Sequence, residues 1–241
     1  MLFLDFVVTF KDVPSQRLLK IMRTILQALK QNQFSEVEQL ITNGHQVNEQ
    51  DESGLSLLHI ATLKGNTSIV RRLLEAGSNP NIRTIIDSVY DEDDDDANHT
   101  DAIVSSLRGL GNKTPLHIAA KEGLYEIGSL LLAYGADINT LDAGLCTPLH
   151  WSANKGDEKF VSLLLENKAN PNARDLAWST PLHEATRKNH INIVKLLMNY
   201  KADPYIKDIS EQSAFEIAQN NIKMLSIYQC YIVSNATGTM H

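Results

Sequence analysis

Two cysteines in 241 residues, Cys146 and Cys230, are too few for a disulfide framework. Both are expected to be free thiols in a reducing, cytoplasmic setting. Long apolar runs are missing as well. The opening residues 1–10 are apolar, yet they contain Asp5, lack a basic start and a small-residue cleavage pattern, and fall far short of the ~20 residues that span a bilayer. That segment is expected to pack on the first helices rather than to serve as a leader or an anchor. Basic residues are in deficit, with 22 Lys and Arg against 29 Asp and Glu, a formal charge of −7. No aromatic–basic interleaving offsets this, so nucleic acid or another polyanion is the weaker reading for a partner. Also absent are a Gly-rich phosphate loop, a G-x-S-x-G elbow and any paired metal-ligand spacing. No enzyme, catalytic residue, cofactor, metal or small-molecule substrate is expected.

What is present is a ruler. Thr114-Pro115-Leu116-His117, Thr147-Pro148-Leu149-His150 and Thr180-Pro181-Leu182-His183 follow one another at 33-residue steps, and Ser213-Ala214-Phe215-Glu216 echoes them one step later. A fixed period of this size redefines the fold before any other reading. A Thr hydroxyl suits a helix N-cap, where it accepts from one of the free first-turn N–H groups. Pro suits the next position, its φ already helical and its missing N–H no loss. Leu faces inward. Small residues follow (Ala119-Ala120, Ala153, Ala185) and let paired helices approach closely, then a leucine-rich second helix and a glycine stop such as Gly135.

The stretch from Lys113 through Gly123, closing with Leu130-Leu131-Leu132 and Gly135 to Asn139, resembles the ankyrin repeat. Three TPLH motifs in register make the resemblance specific. It implies an all-α solenoid of helix–turn–helix units joined by β-hairpin finger loops, about six repeats including degenerate caps. Each repeat then contacts only its neighbours, and terminal repeats are expected to be atypical. It also implies that the repeat histidines His59, His117, His150 and His183 bond the motif Thr and neighbouring backbone. They are spaced one solenoid step apart and so cannot converge on a reacting group.

Taken in order, residues 1–23 are an apolar segment and the start of a capping helix, whose apolar face (Leu18, Met22, Ile25, Leu29) runs through a basic amphipathic stretch at 12–32. The repeat domain is expected over 24–233, with a degenerate first repeat at 24–48 and a polar tail at 234–241. His59 and His117 stand 58 positions apart, one period plus 25. The insertion occupies 84–108 and holds Asp87, Asp91, Glu92, Asp93, Asp94, Asp95, Asp96 and Asp101 against Arg108, so it carries the whole net charge of −7. Such a block repels itself and reads as a solvated loop, and it lacks the spacing of a calcium loop. Four sequons, at Asn66, Asn98, Asn112 and Asn235, do not change the compartment, since the repeat already explains Asn66 and Asn112. The last repeat, from Ser210, is expected to have an irregular second helix around Asn220-Asn221-Ile222, with Tyr228, Tyr231 and Ile232 closing the core.

The resemblance implies protein binding along the concave surface of finger tips and inner helices. Positions the repeat leaves free there give the candidates Lys64, Lys121, Trp151, Lys155, Arg187 and Lys188, a groove that leans basic, with Trp178 at an exposed finger turn. Trp and Arg dominate interface hot spots. The expected function is a non-enzymatic, monomeric adaptor or regulatory scaffold for a protein partner. Two alternatives are a polyanion-associated accessory protein and recruitment of a basic partner by the acidic insertion.

Overall fold

The computed structural model describes residues 41, 47–50, 54–84 and 111–237. The helix expected at 12–32, most of the first repeat, nearly all of the insertion and residues 238–241 lie outside them. Among the described residues ten helices alternate between two layers. The inner layer holds α1 (Leu57–Leu63), α3 (Pro115–Glu122), α5 (Pro148–Lys155), α7 (Pro181–Arg187) and α9 (Ala214–Ala218). The outer layer holds α2 (Thr67–Glu75), α4 (Tyr125–Ala133), α6 (Glu158–Glu166), α8 (Ile191–Asn199) and α10 (Ile222–Thr237). Each inner helix packs on the next inner helix, and each outer helix on the next outer one. The result is the expected solenoid.

Helices of five to nine residues are unstable alone, so tertiary packing must hold them. Leu58, Leu116, Leu149 and Leu182 are fully buried, as are Ala61, Ala119, Ala120, Ala153 and Ala185, which let the inner layer close up. In the outer layer Gly128 serves the same end. A Cβ there would stand 2.5 Å from Phe160 Cζ, so α4 admits the α6 phenyl ring only because it has glycine at this turn.

The repeat histidines weld one repeat to the next. In each, Nδ1 accepts the backbone N–H of the capping residue at 3.1 Å and lies 2.9 Å from its hydroxyl. Nε2 meets a carbonyl of the following repeat: His59 with Lys113, His117 with Cys146, His150 with Ser179, His183 with Gln212, at 3.0–3.2 Å. A carbonyl only accepts and an amide only donates, so all four rings are neutral with the proton on Nε2. The hydroxyls of Thr114, Thr147 and Thr180 thus face the imidazole. The amides of His117 and His150 turn to the backbone carbonyls of Thr114 and Thr147 instead. Along the other edge Asn48, Asn81, Asn139 and Asn172 bridge successive repeats through their side-chain amides.

The fingers are tight hairpin turns, with isolated antiparallel bridges (Gln50–Ser56, Lys207–Ser213) in place of regular strands among the described residues. Asp142, Asp175 and Asp208 close three of them, each accepting two backbone amides on Oδ1. The tip residues Asn112, Leu145, Trp178 and Glu211 are all left-handed (φ 57–65°), as is Gly54 at the same register. Lys168 and Lys201, at the helix stop where Gly77 and Gly135 stand elsewhere, are also left-handed at φ 70° and 66°.

Two sequence expectations shift in detail. The insertion leaves and returns at a neck, where Thr84 donates its N–H to Lys113 O (2.9 Å) and accepts Asn112 N–H (3.2 Å). The last outer helix is regular and the longest of the ten. Asn220-Asn221 is the turn before it, with Asn221 Oδ1 capping Met224 N–H at 3.2 Å, and the helix runs to Thr237, into the stretch read as tail. Within it Tyr228 is buried and bonds Thr186 Oγ1, while the Tyr231 hydroxyl donates to Met198 O.

Candidate functional site

The candidate residues fall on the last turns of the inner helices and on the fingers beside them. Lys64, Lys155 and Lys188 share one register, which Glu122 interrupts. Lys121 and Arg187 share another, with Leu63 and Asn154. Lys155 is exposed and lies across Gly123, its Cε 2.9 Å from where a Cβ would stand. Lys188 is exposed at the end of α7. Lys64 is half-buried at the end of α1.

Carboxylates occupy the same surface, so the row of cations is not a uniformly basic groove. Arg187 is already engaged: it donates to Asp208 Oδ2 at 2.5 Å, to Ser179 Oγ at 2.9 Å and to Glu184 Oε1 at 3.1 Å. It therefore fastens α7 to the following finger. Glu184 also accepts from Asn154 Nδ2 at 2.6 Å.

Trp151 stands at the centre of a compact cluster. Its indole N–H donates to Asp142 Oδ2 at 2.9 Å, which fixes the ring edge. Lys113 Nζ lies 4.6 Å and Lys121 Nζ 5.8 Å from the ring centroid, both within cation–π range. Lys113 is 2% exposed, and burial holds its ammonium below the usual lysine range, with Lys121's charge adding to the effect. Lys121 and Trp151 were legible as site candidates. Lys113 and the finger aspartates were not, although the 33-residue spacing of Asp142, Asp175 and Asp208 was there to be read.

Trp178 is 54% exposed at its finger tip, with the Arg174 guanidinium 5.9 Å from its ring. Leu176 on the same finger is apolar and 62% exposed, as are Leu145 (40%) and Ile209 (62%) on the adjoining fingers. Backbone bonds hold these tips together, Leu176 N–H to Gly144 O and Ile209 N–H to Ala177 O. They therefore set exposed apolar side chains on three successive fingers.

The four repeat histidines are held neutral by burial. Burial pushes His59 and His117 down to about 4, and lowers His150 and His183 as well. Burial also pushes the Cys146 thiol up to about 12, which leaves it a poor nucleophile. Among the described residues no three His, Cys, Asp or Glu side chains converge as a metal-binding set. No helix among them is long and apolar enough to cross a membrane.

A family model for ankyrin repeats matches residues 25–142 and 140–208. The palmitoyltransferase Hip14 of Drosophila melanogaster is 30% identical over 122 residues, which is 51% of this chain and 15% of that protein. The glycerophosphocholine phosphodiesterase gde1 of Schizosaccharomyces pombe is 32% identical over 107 residues, 44% of this chain and 7% of its own length. The human mitochondrial disaggregase is 36% identical over 66 residues, 27% and 9% respectively. The chain thus spans under a fifth of the length of these relatives, and their three activities are unlike one another. The family model covers most of the chain and agrees with the helix pairs, the capping histidines and the finger turns: the chain belongs to the ankyrin-repeat family.

Proposed function

We propose that the chain is an adaptor or regulatory scaffold without catalysis of its own, and that it holds a partner protein on its finger tips and concave face. The observation that carries this reading is Trp178. A large ring more than half exposed, in a left-handed turn where Gly54 stands in another repeat, contributes little to the core and carries a backbone cost of roughly 1 kcal/mol. Leu145, Leu176 and Ile209 on the same and adjoining fingers are exposed apolar side chains of the kind that marks interaction sites. Fold alone does not assign a partner.

The test uses Trp178→Gly, which relieves the turn and removes the ring. Its melting temperature is expected to hold or rise. Capture of the partner from the native cell, quantified against wild type, is expected to fall at least about thirtyfold, the scale of a hot-spot residue. Lys159→Met, an exposed change on the outer helix α6, is the control and is expected to retain it. Equal capture by wild type and Trp178→Gly would overturn the assignment.

A further inference from the structure

We propose that the finger carrying Arg174 and Trp178 docks one acidic side chain of the partner protein, presented by an extended segment that sets an apolar side chain, three residues away, on the preceding finger. The inference rests on the protein-binding reading and names the chemistry of the segment which that reading requires.

The repeat places the finger positions in a column. Leu141 and Leu145, Arg174 and Trp178, and Lys207 and Glu211 stand at matching positions of three successive fingers, 33 residues apart. Backbone bonds fix their order, Leu176 N–H to Gly144 O at 2.9 Å and Ile209 N–H to Ala177 O at 3.0 Å. All six residues are exposed. The first pair is apolar, Leu141 at 39% and Leu145 at 40%. The third is a closed ion pair, with Lys207 Nζ 3.6 Å from Glu211 Oε2. The middle pair is a cation and a ring.

Arg174 is the cation that the fold leaves without an acceptor. Arg83 stands at the same position ahead of the insertion, and it donates to Leu141 O at 2.6 Å and to Thr140 Oγ1 at 3.1 Å. Lys207 has Glu211. Among the described residues no carbonyl or carboxylate takes a hydrogen bond from Arg174, whose guanidinium lies 5.9 Å from the Trp178 ring centroid. A guanidinium is a planar fork that matches a carboxylate with two parallel N–H bonds, and it loses little freedom in making them. Both residues are open to solvent, so a carboxylate reaches the fork without displacing any part of the fold. Toward the preceding finger, the residues flanking that acid meet Leu141 and Leu145. Toward the following finger they meet a lysine that is already paired, so a second acid finds no open cation there. One acid beside one apolar group fits this column, and a run of acids does not.

The solenoid step sets their spacing. Helix α5 packs on α7 and α6 on α8, and packed helices lie about 8–10 Å apart. A hairpin two strands wide, at about 4.8 Å per strand, gives a step of the same size. A β-strand returns to one face every two residues, about 7 Å, whereas a polyproline II segment returns every three, about 9 Å. The second matches. The occupant is therefore an extended segment with an apolar and an acidic residue at i and i+3, in either order.

The experiment titrates the full-length, 15N-labelled protein with two capped peptides, Pro-Leu-Pro-Pro-Glu-Pro and Pro-Glu-Pro-Pro-Leu-Pro. It follows the indole N–H resonance of Trp178, which is the one lost in Trp178→Gly. At least one peptide is expected to move that signal saturably, and the tighter is kept. Replacing its Glu by Gln is expected to weaken binding at least about threefold at low salt, the scale of an exposed charge pair, with the gap closing as salt rises. In Arg174→Met the Glu and Gln peptides should bind alike. Lys159→Met, an exposed change on α6, should still tell them apart. Capped Pro-Pro-Leu-Glu-Pro-Pro has the same composition with its two side chains adjacent, and it should bind at least about threefold more weakly. The proposal is overturned if neither peptide moves Trp178, if Arg174→Met keeps the full preference for Glu, or if the adjacent arrangement binds as well. It is also overturned if phosphatidylserine vesicles move Trp178 further than the peptide does, which would reassign the finger to a membrane surface. If Arg174→Met fails to melt cooperatively, the Gln and adjacent-spacing peptides on the wild-type protein decide. The two readings fail separately: capture lost in Trp178→Gly with no peptide bound removes the acidic segment alone, and a peptide bound through Arg174 with capture insensitive to Trp178→Gly removes the partner reading.

Discussion

Acid should dismantle this solenoid well before its carboxylates titrate. Each repeat histidine is buried as the neutral Nε2–H form, with Nδ1 facing an amide that cannot turn away, so protonation must break the cap. An unfolded histidine titrates near 6.5, whereas His59 and His117 are pushed down to about 4. A depressed folded value means that the unfolded chain takes up protons first. The contribution is fully present above pH 6.5 and is lost as pH falls toward about 4. Linkage then assigns each of the two a loss on the order of 2 kcal/mol between pH 7.5 and 5, with His150 and His183 acting in the same direction. Against a total stability of roughly 5–15 kcal/mol this is a large share. The measurement is the urea midpoint from pH 7.5 to 4.5, together with imidazole nitrogen shifts that report the tautomer. The midpoint should fall steeply from about pH 6.5 while the folded rings of His59 and His117 stay neutral to pH 5. A flat midpoint down to pH 5, or rings protonated on Nδ1 in the folded state, would refute the assignment.

Two further outcomes follow from backbone and packing. Lys168→Gly and Lys201→Gly should each stabilise the C-terminal repeats by up to about 1 kcal/mol, since both lysines are left-handed at the stop that Gly77 and Gly135 occupy in sister repeats. Thermal melts check this, and a lower melting temperature in both variants would remove the argument. Gly128→Ala should destabilise by about 1–2 kcal/mol despite alanine's better helix propensity. Its methyl would stand 2.5 and 2.7 Å from Phe160 ring atoms that have no room to retreat, and a melt at or above the wild-type temperature would show that the ring can move.

The regular part of the architecture was legible because the repeat writes it three times over. Thr-Pro-Leu-His names an N-cap, a first helical residue, a core leucine and a cap partner, and the structure uses each in that way. The left-handed state of Lys168 and Lys201 could be read from register, because glycine stands there in sister repeats. What stayed hidden depends on where side chains meet across repeats. A sequence places Lys113 and Trp151 38 residues apart and gives no sign that one caps the other's ring face. Arg187 looks like a free groove cation until its guanidinium is seen on Asp208, 21 residues on. The turn at Asn220-Asn221 read as a broken helix because Asn is poor in helices, but its side chain is the cap.

The positions that depart from the repeat are therefore where function should be sought, and they share a physical signature. Leu145, Trp178 and Glu211 each hold a left-handed turn that glycine would hold more cheaply, as Gly54 does in another repeat. At Trp178 that cost is combined with an exposed ring, and neither helps the fold. At Trp151 a ring stands where Ile60 and Ile118 stand elsewhere, and it brings two ammonium groups with it. The two departures lie on an inner helix and on a finger, in adjoining repeats, while the outer helices keep ordinary core leucines and valines. A partner that covers both tryptophans would offset the backbone strain at Trp178. The same contacts that cost the free protein stability would then contribute to the affinity of the complex.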